Sequence, residues 1–214
     1  MYVKIVYKSD LMKQRVASKG KCNQTLTYMS ILKALDSERN LKMQRILVIG
    51  CSGAGKSTFA KELGQKLNIE VIHLDALFWN AGWVPTPKAQ WREKVVNLCQ
   101  NGQWIMDGNY GSTLSLRLQY ADAVILFDTP RLQCLWRAIK RRLMYAGKTR
   151  PDMAAGCPEK IDGEFLKWIW NFKKNEKPQI MKLLDAFSGK LFIVKNKKDS
   201  LETMLSIINN QGLA

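Results

Sequence analysis

The chain has 214 residues, with 34 lysines and arginines against 18 acids, one histidine and five cysteines, for a formal charge of +16. That length suits one α/β domain with room for insertions. No apolar run approaches the roughly twenty residues of a membrane span, and the start lacks the long apolar core of a signal peptide. Cys22, Cys51, Cys99, Cys134 and Cys157 form no C-x-x-C pair and read as reduced thiols of a cytoplasmic protein; with His73 the only histidine, a zinc cluster is excluded. The positive balance suits polyanionic partners, either nucleotides or nucleic acid, or else a solvated basic surface that aids solubility.

In chain order, residues 1–42 read as a basic N-terminal extension with sparse apolar residues, nine lysines and arginines, and three acids. A weak strand over 3–7 and a short helix over 28–36 are its only expected elements, and it reads either as a loosely ordered arm or as a segment before the true start at Met43. The folded domain is expected over 43–214. Arg45-Ile46-Leu47-Val48-Ile49 is an apolar, β-branched run that predicts a buried parallel strand. Gly50-Cys51-Ser52-Gly53-Ala54-Gly55-Lys56-Ser57 follows, a complete G-x-x-x-x-G-K-S phosphate-binding loop. Phe59, Leu63 and Leu67 then recur at helical spacing and predict a helix over 58–67. Strand, glycine loop and helix together are the setting in which backbone N–H groups and a helix N-terminus hold an anion. The nucleotide set is therefore Gly50, Ser52, Gly53, Ala54, Gly55, Lys56, Ser57 and Thr58. Lys56 is expected on the β- and γ-phosphates of ATP and the Ser57 hydroxyl on Mg2+.

Four further strands are expected, over 70–75, 103–107, 123–128 and 190–194. Between them, Trp91, Val95 and Leu98 mark a helix over 88–100. A long helical stretch over 164–187 should be interrupted at Pro178, and Leu201, Met204, Leu205 and Ile208 mark a last helix. Alternating strands and helices predict a parallel sheet covered on both faces, with ligands beyond the carboxyl ends of its strands. Those ends carry Asp75, Asp107 and Asp128. Asp107, before a small glycine, suits the carboxylate that partners Mg2+. Asp75 reads as the base for an acceptor hydroxyl, or as a cap or a substrate-binding group. Asp128 reads as a helix cap before Thr129-Pro130, and His73, on the same strand face as Asp75, as a packed residue.

Leu132, Leu135, Trp136, Ile139 and Leu143 form an apolar stripe at helical spacing, with Arg137 and Arg141 on the opposite face. A glycine- and proline-containing segment over about 147–163 follows, and no acid offsets the basic residues from Arg131 to Arg150. It is expected to be a lid that brings Arg150 over the phosphates, excludes water and stabilises the transferring phosphoryl group. Of the seven tryptophans, Trp104, Trp136, Trp168 and Trp170 are expected in the core. Trp79 and Trp83 read as a pocket wall or as simple loop packing.

These runs resemble the small P-loop kinases, a superfamily that includes adenylate, shikimate and gluconate kinases. More closely they resemble the bacterial DNA topology modulation proteins, over roughly 43–184. The telling pieces are H-L-D-A-L-F-W-N-A-G-W (His73–Trp83), W-I-M-D-G-N-Y (Trp104–Tyr110), T-L-S-L-R-L (Thr113–Leu118), L-W-R-A-I-K-R-R (Leu135–Arg142), G-K-T-R-P-D-M (Gly147–Met153) and G-C-P-E (Gly156–Glu159). The resemblance implies a three-layer P-loop NTPase sandwich with a five-stranded parallel sheet in the order 2-3-1-4-5. It also implies that Arg137 stacks on adenine and Arg141 touches phosphates, so that Lys56, Asp75, Arg141 and Arg150 form the catalytic set. Asp107-Gly108 matches the magnesium-side aspartate region. The D-G-F-P-R pattern of adenylate kinases is absent, because Asn109-Tyr110-Gly111 follows Gly108. The match therefore stops short of AMP as acceptor and leaves Arg117 as the candidate for anion binding there. Two functions follow as expectations: an ATP-dependent kinase acting on a small metabolite, or a nucleotide-responsive DNA-binding or DNA-topology regulatory protein.

Overall fold

A computed structural model describes residues 43–211, and the expected leader elements over 1–42 lie outside the described residues. Strand β1 (Arg45–Gly50) is buried along nearly its whole length, as an apolar run covered on both faces must be. It pairs in parallel with β5 (Trp104–Asp107) on one side and β6 (Ala123–Phe127) on the other. Strands β2 (Val71–His73) and β7 (Lys190–Val194) close the two edges, giving the order β2-β5-β1-β6-β7. This is the expected 2-3-1-4-5 arrangement once a small hairpin is set aside, formed by β3 (Trp79–Asn80) and β4 (Val84–Pro85). Two strands so short carry no alternation from which to expect them.

Helix α1 (Lys56–Leu67) buries Phe59, Leu63 and Leu67 against the sheet, and α3 (Lys88–Cys99) buries Trp91, Val95 and Cys99. Helix α4 (Gly111–Tyr120) follows β5, and α8 (Lys197–Asn209) ends the described chain with Asn196 capping it through Asp199 N. The long helical stretch is divided as expected. Helix α6 (Gly163–Asn175) stops before Pro178, which sits in the first turn of α7 (Lys177–Leu184), where a missing N–H leaves no gap. One apolar core runs from Met43 to Ile207. Among the described residues, no helix is long and apolar enough to cross a membrane.

Four expectations are corrected. The second strand ends at His73, not Asp75, because its one partner, β5, offers Asp107 opposite His73 and no further strand residue. The chain turns there into a short helix, α2 (Leu74–Phe78), with Leu74 buried and Asp75 in its first turn. Helix α5 (Arg131–Met144) has the expected periodicity and turns Arg137 and Arg141 toward the phosphate loop, but its apolar stripe is not core: Cys134 and Ala138 face inward, and Leu132, Trp136 and Leu143 are 67%, 64% and 73% exposed. The helix lies too close to the phosphate loop for large side chains, since a Cβ added to Gly53 would stand 2.3 Å from the Cys134 carbonyl oxygen. Trp136 is therefore not core, and Trp170 is also exposed, with the Arg131 guanidinium 3.9 Å over its ring. Asp128 is no cap. Pro130 precedes α5, and the Asp128 carboxylate instead pairs with Lys173 Nζ at 3.0 Å and Lys177 Nζ at 2.9 Å.

Candidate active site

The order of strands reverses at β1, with β5 on one side and β6 on the other, and the crevice beyond their carboxyl ends is where α/β sheets bind ligands. The loop after β1 needs its glycines. Gly50, Gly53 and Gly55 have φ of 139°, 75° and 102°, and a Cβ on Gly50 would meet the Phe127 carbonyl oxygen at 2.5 Å. Gly55 leads into α1, so Lys56, Ser57 and Thr58 stand at a helix N-terminus. Lys56 Nζ donates to the Cys51 carbonyl at 2.9 Å, folding back across the loop it serves. Thr129 Oγ1 and Arg137 Nη1 both donate to the Ala54 carbonyl, at 3.2 and 3.1 Å.

The loop after β5 is tied to the phosphate loop by a residue without an expected role. Asn109 Oδ1 accepts from Gly50 N at 2.7 Å, and its Nδ2 donates to the Gly50 carbonyl at 2.8 Å. Asp107 is buried and one of its oxygens, Oδ2, lies 3.0 Å from His73 Nδ1. Burial alone would raise the Asp107 carboxyl, but the His73 hydrogen bond, the Lys56 charge and the Ser57 hydroxyl outweigh it and hold the group below its ordinary value. His73 is pushed the other way, above its ordinary value, chiefly by the Asp107 hydrogen bond and with help from Asp152 and Asp75. Asp107 Oδ1 is buried with no hydrogen-bond partner among the described residues. An orphaned carboxylate oxygen beside a serine hydroxyl is a hard-oxygen donor set, and it fits Mg2+.

Asp75 stands across the same cleft. It accepts a hydrogen bond from Tyr110 Oη at 2.6 Å, and burial together with the Asp75 charge pushes the Tyr110 hydroxyl upward, so it stays a donor. Tyr110 sits among aromatic rings: Phe78 is 4.8 Å away, Trp91 5.0 Å, and Trp79 packs edge-on to Trp83 at 5.4 Å. Trp79 and Trp83 both line the cleft, a cavity of about 840 Å³.

Residues of the segment over 147–163 line this cleft, and an acid within it ties the segment to α5. Glu159, buried, accepts a hydrogen bond from Arg141 Nε at 2.9 Å, and its other oxygen forms an ion pair with Arg150, 2.6 Å from Nε. Arg150 also pairs with Asp152 at 3.1 Å, while Arg141 Nη2 reaches Ser52 Oγ at 3.4 Å. The basic run from Arg131 to Arg150 is thus offset by acids just beyond it. The lid also clasps the β3–β4 hairpin: Gly82 N donates to the Gly156 carbonyl at 2.9 Å and Trp83 Nε1 to the Pro158 carbonyl at 3.0 Å.

The structure gathers the nucleotide-loop residues Gly53, Gly55, Lys56 and Ser57 with Asp75, Asp107, Arg137, Arg141 and Arg150 around one cavity. It does not bring Arg117 there. That side chain is fully buried behind the cleft and donates to the carbonyls of Gly108, at 3.1 Å, Asn109 and Tyr110. Burial lowers the guanidinium to about 10, and it remains charged at neutral pH. Arg117 thus props the Gly108–Tyr110 loop from behind and is withdrawn as an acceptor-anion ligand. The cysteines that fall among the described residues, Cys51, Cys99, Cys134 and Cys157, are free and buried, as structural thiols should be.

No protein-family model matches the chain, and no curated protein matches its sequence. Solved structures do match. Shikimate kinase from Acinetobacter baumannii, in complex with shikimate, is 16% identical, with 81% of this chain covering 95% of that one at a TM-score of 0.54. Shikimate kinase from Bacteroides thetaiotaomicron is also 16% identical over 78% of this chain and 97% of its own, at a TM-score of 0.48. Deoxyadenosine kinase from M. mycoides, with bound dATP, is 16% identical over 77% of this chain and 98% of its own, at 0.45. At such identities the likeness is one of architecture, and the chain carries the P-loop NTPase fold of shikimate kinase.

Proposed function

We propose that this protein is an ATP-dependent phosphotransferase that moves the γ-phosphoryl group to a hydroxyl of a small metabolite. The observation that carries the reading is the placement of Lys56 of the phosphate loop and the Asp75–Tyr110 pair in one covered cleft. Backbone N–H groups of residues 53–58 and Lys56 hold the β- and γ-phosphates at the start of α1. Mg2+, held by Ser57 and Asp107, would neutralise phosphate charge as it develops. Asp75 orients the acceptor hydroxyl and takes its proton. The hydroxyl oxygen bonds to the γ-phosphorus as the bond to the β,γ-bridging oxygen breaks, and ADP leaves with the electron pair. Arg137 lies along the nucleotide, while Arg141 and Arg150 face the transferring group and stabilise its charge.

Residues 43–214 would form this kinase unit, with the lid at about 147–163, in a cytoplasmic protein. On the motif runs from His73 to Glu159 we group the chain with the bacterial DNA topology modulation proteins. The DNA-regulatory reading rests on charge and on the name of that group, and a phosphotransferase accounts for more of the site. The test is Lys56→Ala with calorimetry of Mg-ATP binding. The variant should keep the fold and lose tight binding, and an unchanged affinity would overturn the phosphate-loop assignment.

A further inference from the structure

The cleft has two chemically unlike ends, and the difference bears on what the acceptor is. At the nucleotide end the cations are already engaged. Lys56 lies on the Cys51 carbonyl, Arg137 on the Ala54 carbonyl, and Arg141 on Glu159 and Ser52. Arg150 is held between Glu159 and Asp152. Arg117, behind the Gly108–Tyr110 loop, faces away and is enclosed by backbone carbonyls. Lys160 stands at the rim, its Nζ 5.7 Å over the Trp83 ring.

At the other end, Asp75 accepts from Tyr110 and has no ion-pair partner among the described residues. Around it stand Trp79, Trp83 and the Tyr110 ring, backed by Phe78 and Trp91. An uncompensated carboxylate among aromatic faces attracts hydroxyls, flat rings and cations, and it repels carboxylates and phosphates.

Resting on the phosphotransferase reading, we infer that the acceptor is an uncharged or cationic hydroxyl compound with a flat or apolar face, such as a nucleoside or an amino alcohol. Acceptors with a carboxylate or phosphate near the reacting hydroxyl are disfavoured, since among the described residues no cation pairs with Asp75 and the cations lining the cleft are taken up by acids, by carbonyls or, for Lys160, by the face of Trp83. Two like charges within about 5 Å at partly buried depth weaken binding by roughly a hundredfold.

The test uses the full chain loaded with Mg-ADP, read by tryptophan fluorescence and calorimetry. Matched pairs are titrated: nucleosides against their 5′-monophosphates, and amino alcohols against hydroxy acids of the same length. The neutral or cationic member should bind at least tenfold more tightly wherever a pair binds. Asp75→Asn, verified by unchanged Mg-ADP affinity, should narrow that gap at least tenfold. Preference for the anionic member, an unchanged gap in Asp75→Asn, or no binding by any member overturns the inference. Mg-ATP binding by the same sample separates the two readings. If ATP binds and anionic acceptors win, only the acceptor class is wrong; if ATP does not bind, the phosphotransferase falls and this inference with it.

Discussion

Asn109 joins the two loops that a phosphotransferase must keep in register, because both ends of its amide engage the main chain of Gly50. Asn109→Asp keeps the shape but sets a carboxylate oxygen against the Gly50 carbonyl, where a donor stood. We expect a loss of about 1–3 kcal/mol in stability and, measured by calorimetry, weaker Mg-ATP binding. The two acids should separate by role. Asp107→Asn removes charge from the donor set beside Ser57 and should raise the magnesium needed for half-maximal ATP binding. Asp75→Asn should leave Mg-ATP binding intact and lower single-turnover transfer about a hundred- to ten-thousandfold. If both variants weaken Mg-ATP equally, both acids belong to the metal site. The strand–loop–helix around Lys56 and the placement of Asp107 at a strand end were legible in the sequence, because each is carried by a run of contiguous residues. The His73–Asp107 pair was not, since it depends on the register of β2 on β5, a contact between positions 34 residues apart.

Among the elements, α5 shows how a correct period yields a wrong face. Hydropathy places the large apolar side chains inward, yet close approach to the phosphate loop demands Cys134 and Ala138 there and sends Arg137 and Arg141 into the cleft. Glu159 then links α5 to the lid, a role invisible in sequence because its two partners lie on different segments. Glu159→Gln keeps the size but removes the charge that holds Arg141 and Arg150. We expect the lid to loosen, seen as faster hydrogen exchange over 147–163, and the KM for ATP to rise about tenfold, of the order of one lost charge-assisted contact. Unchanged exchange would show that Glu159 does not fasten the lid. At the end of β6, burial pushes the Asp128 carboxyl up, but hydrogen bonds from Lys177 and Lys173 outweigh it and leave it below its ordinary value. Asp128→Asn should cost about 1 kcal/mol, since both lysines are partly exposed. The difference from wild type should be full above the ordinary carboxyl value of 3.8 and vanish as pH falls through the lowered one. A melting difference that persists in strong acid would assign the effect to packing.

At the scale of the molecule, the two ends of the described unit are tied together. Met43 is 1% exposed, its carbonyl accepts from Gln211 Nε2 at 2.6 Å, and the Gln44 carbonyl accepts from Trp104 N at 2.8 Å. These contacts bind the first described residues to β5 and to the end of α8, and the core contains its own apolar partners on both faces of the sheet. The residues before Met43 contribute nine of the lysines and arginines. We therefore expect deletion of residues 1–42 to leave Mg-ATP affinity unchanged and to shift Tm by no more than about 2 °C, on the scale where 1 kcal/mol moves a domain of this size by a few degrees. The exposed stripe of Leu132, Trp136, Ile139 and Leu143 makes the opposite outcome readable. If the leader covered that stripe, deletion would lower Tm by well over 5 °C, the sum of several apolar side chains returned to water. It would also make Trp136 emission markedly more accessible to iodide. Equal quenching in the full and shortened chains, with equal Tm, is the result expected if residues 43–214 fold as one unit.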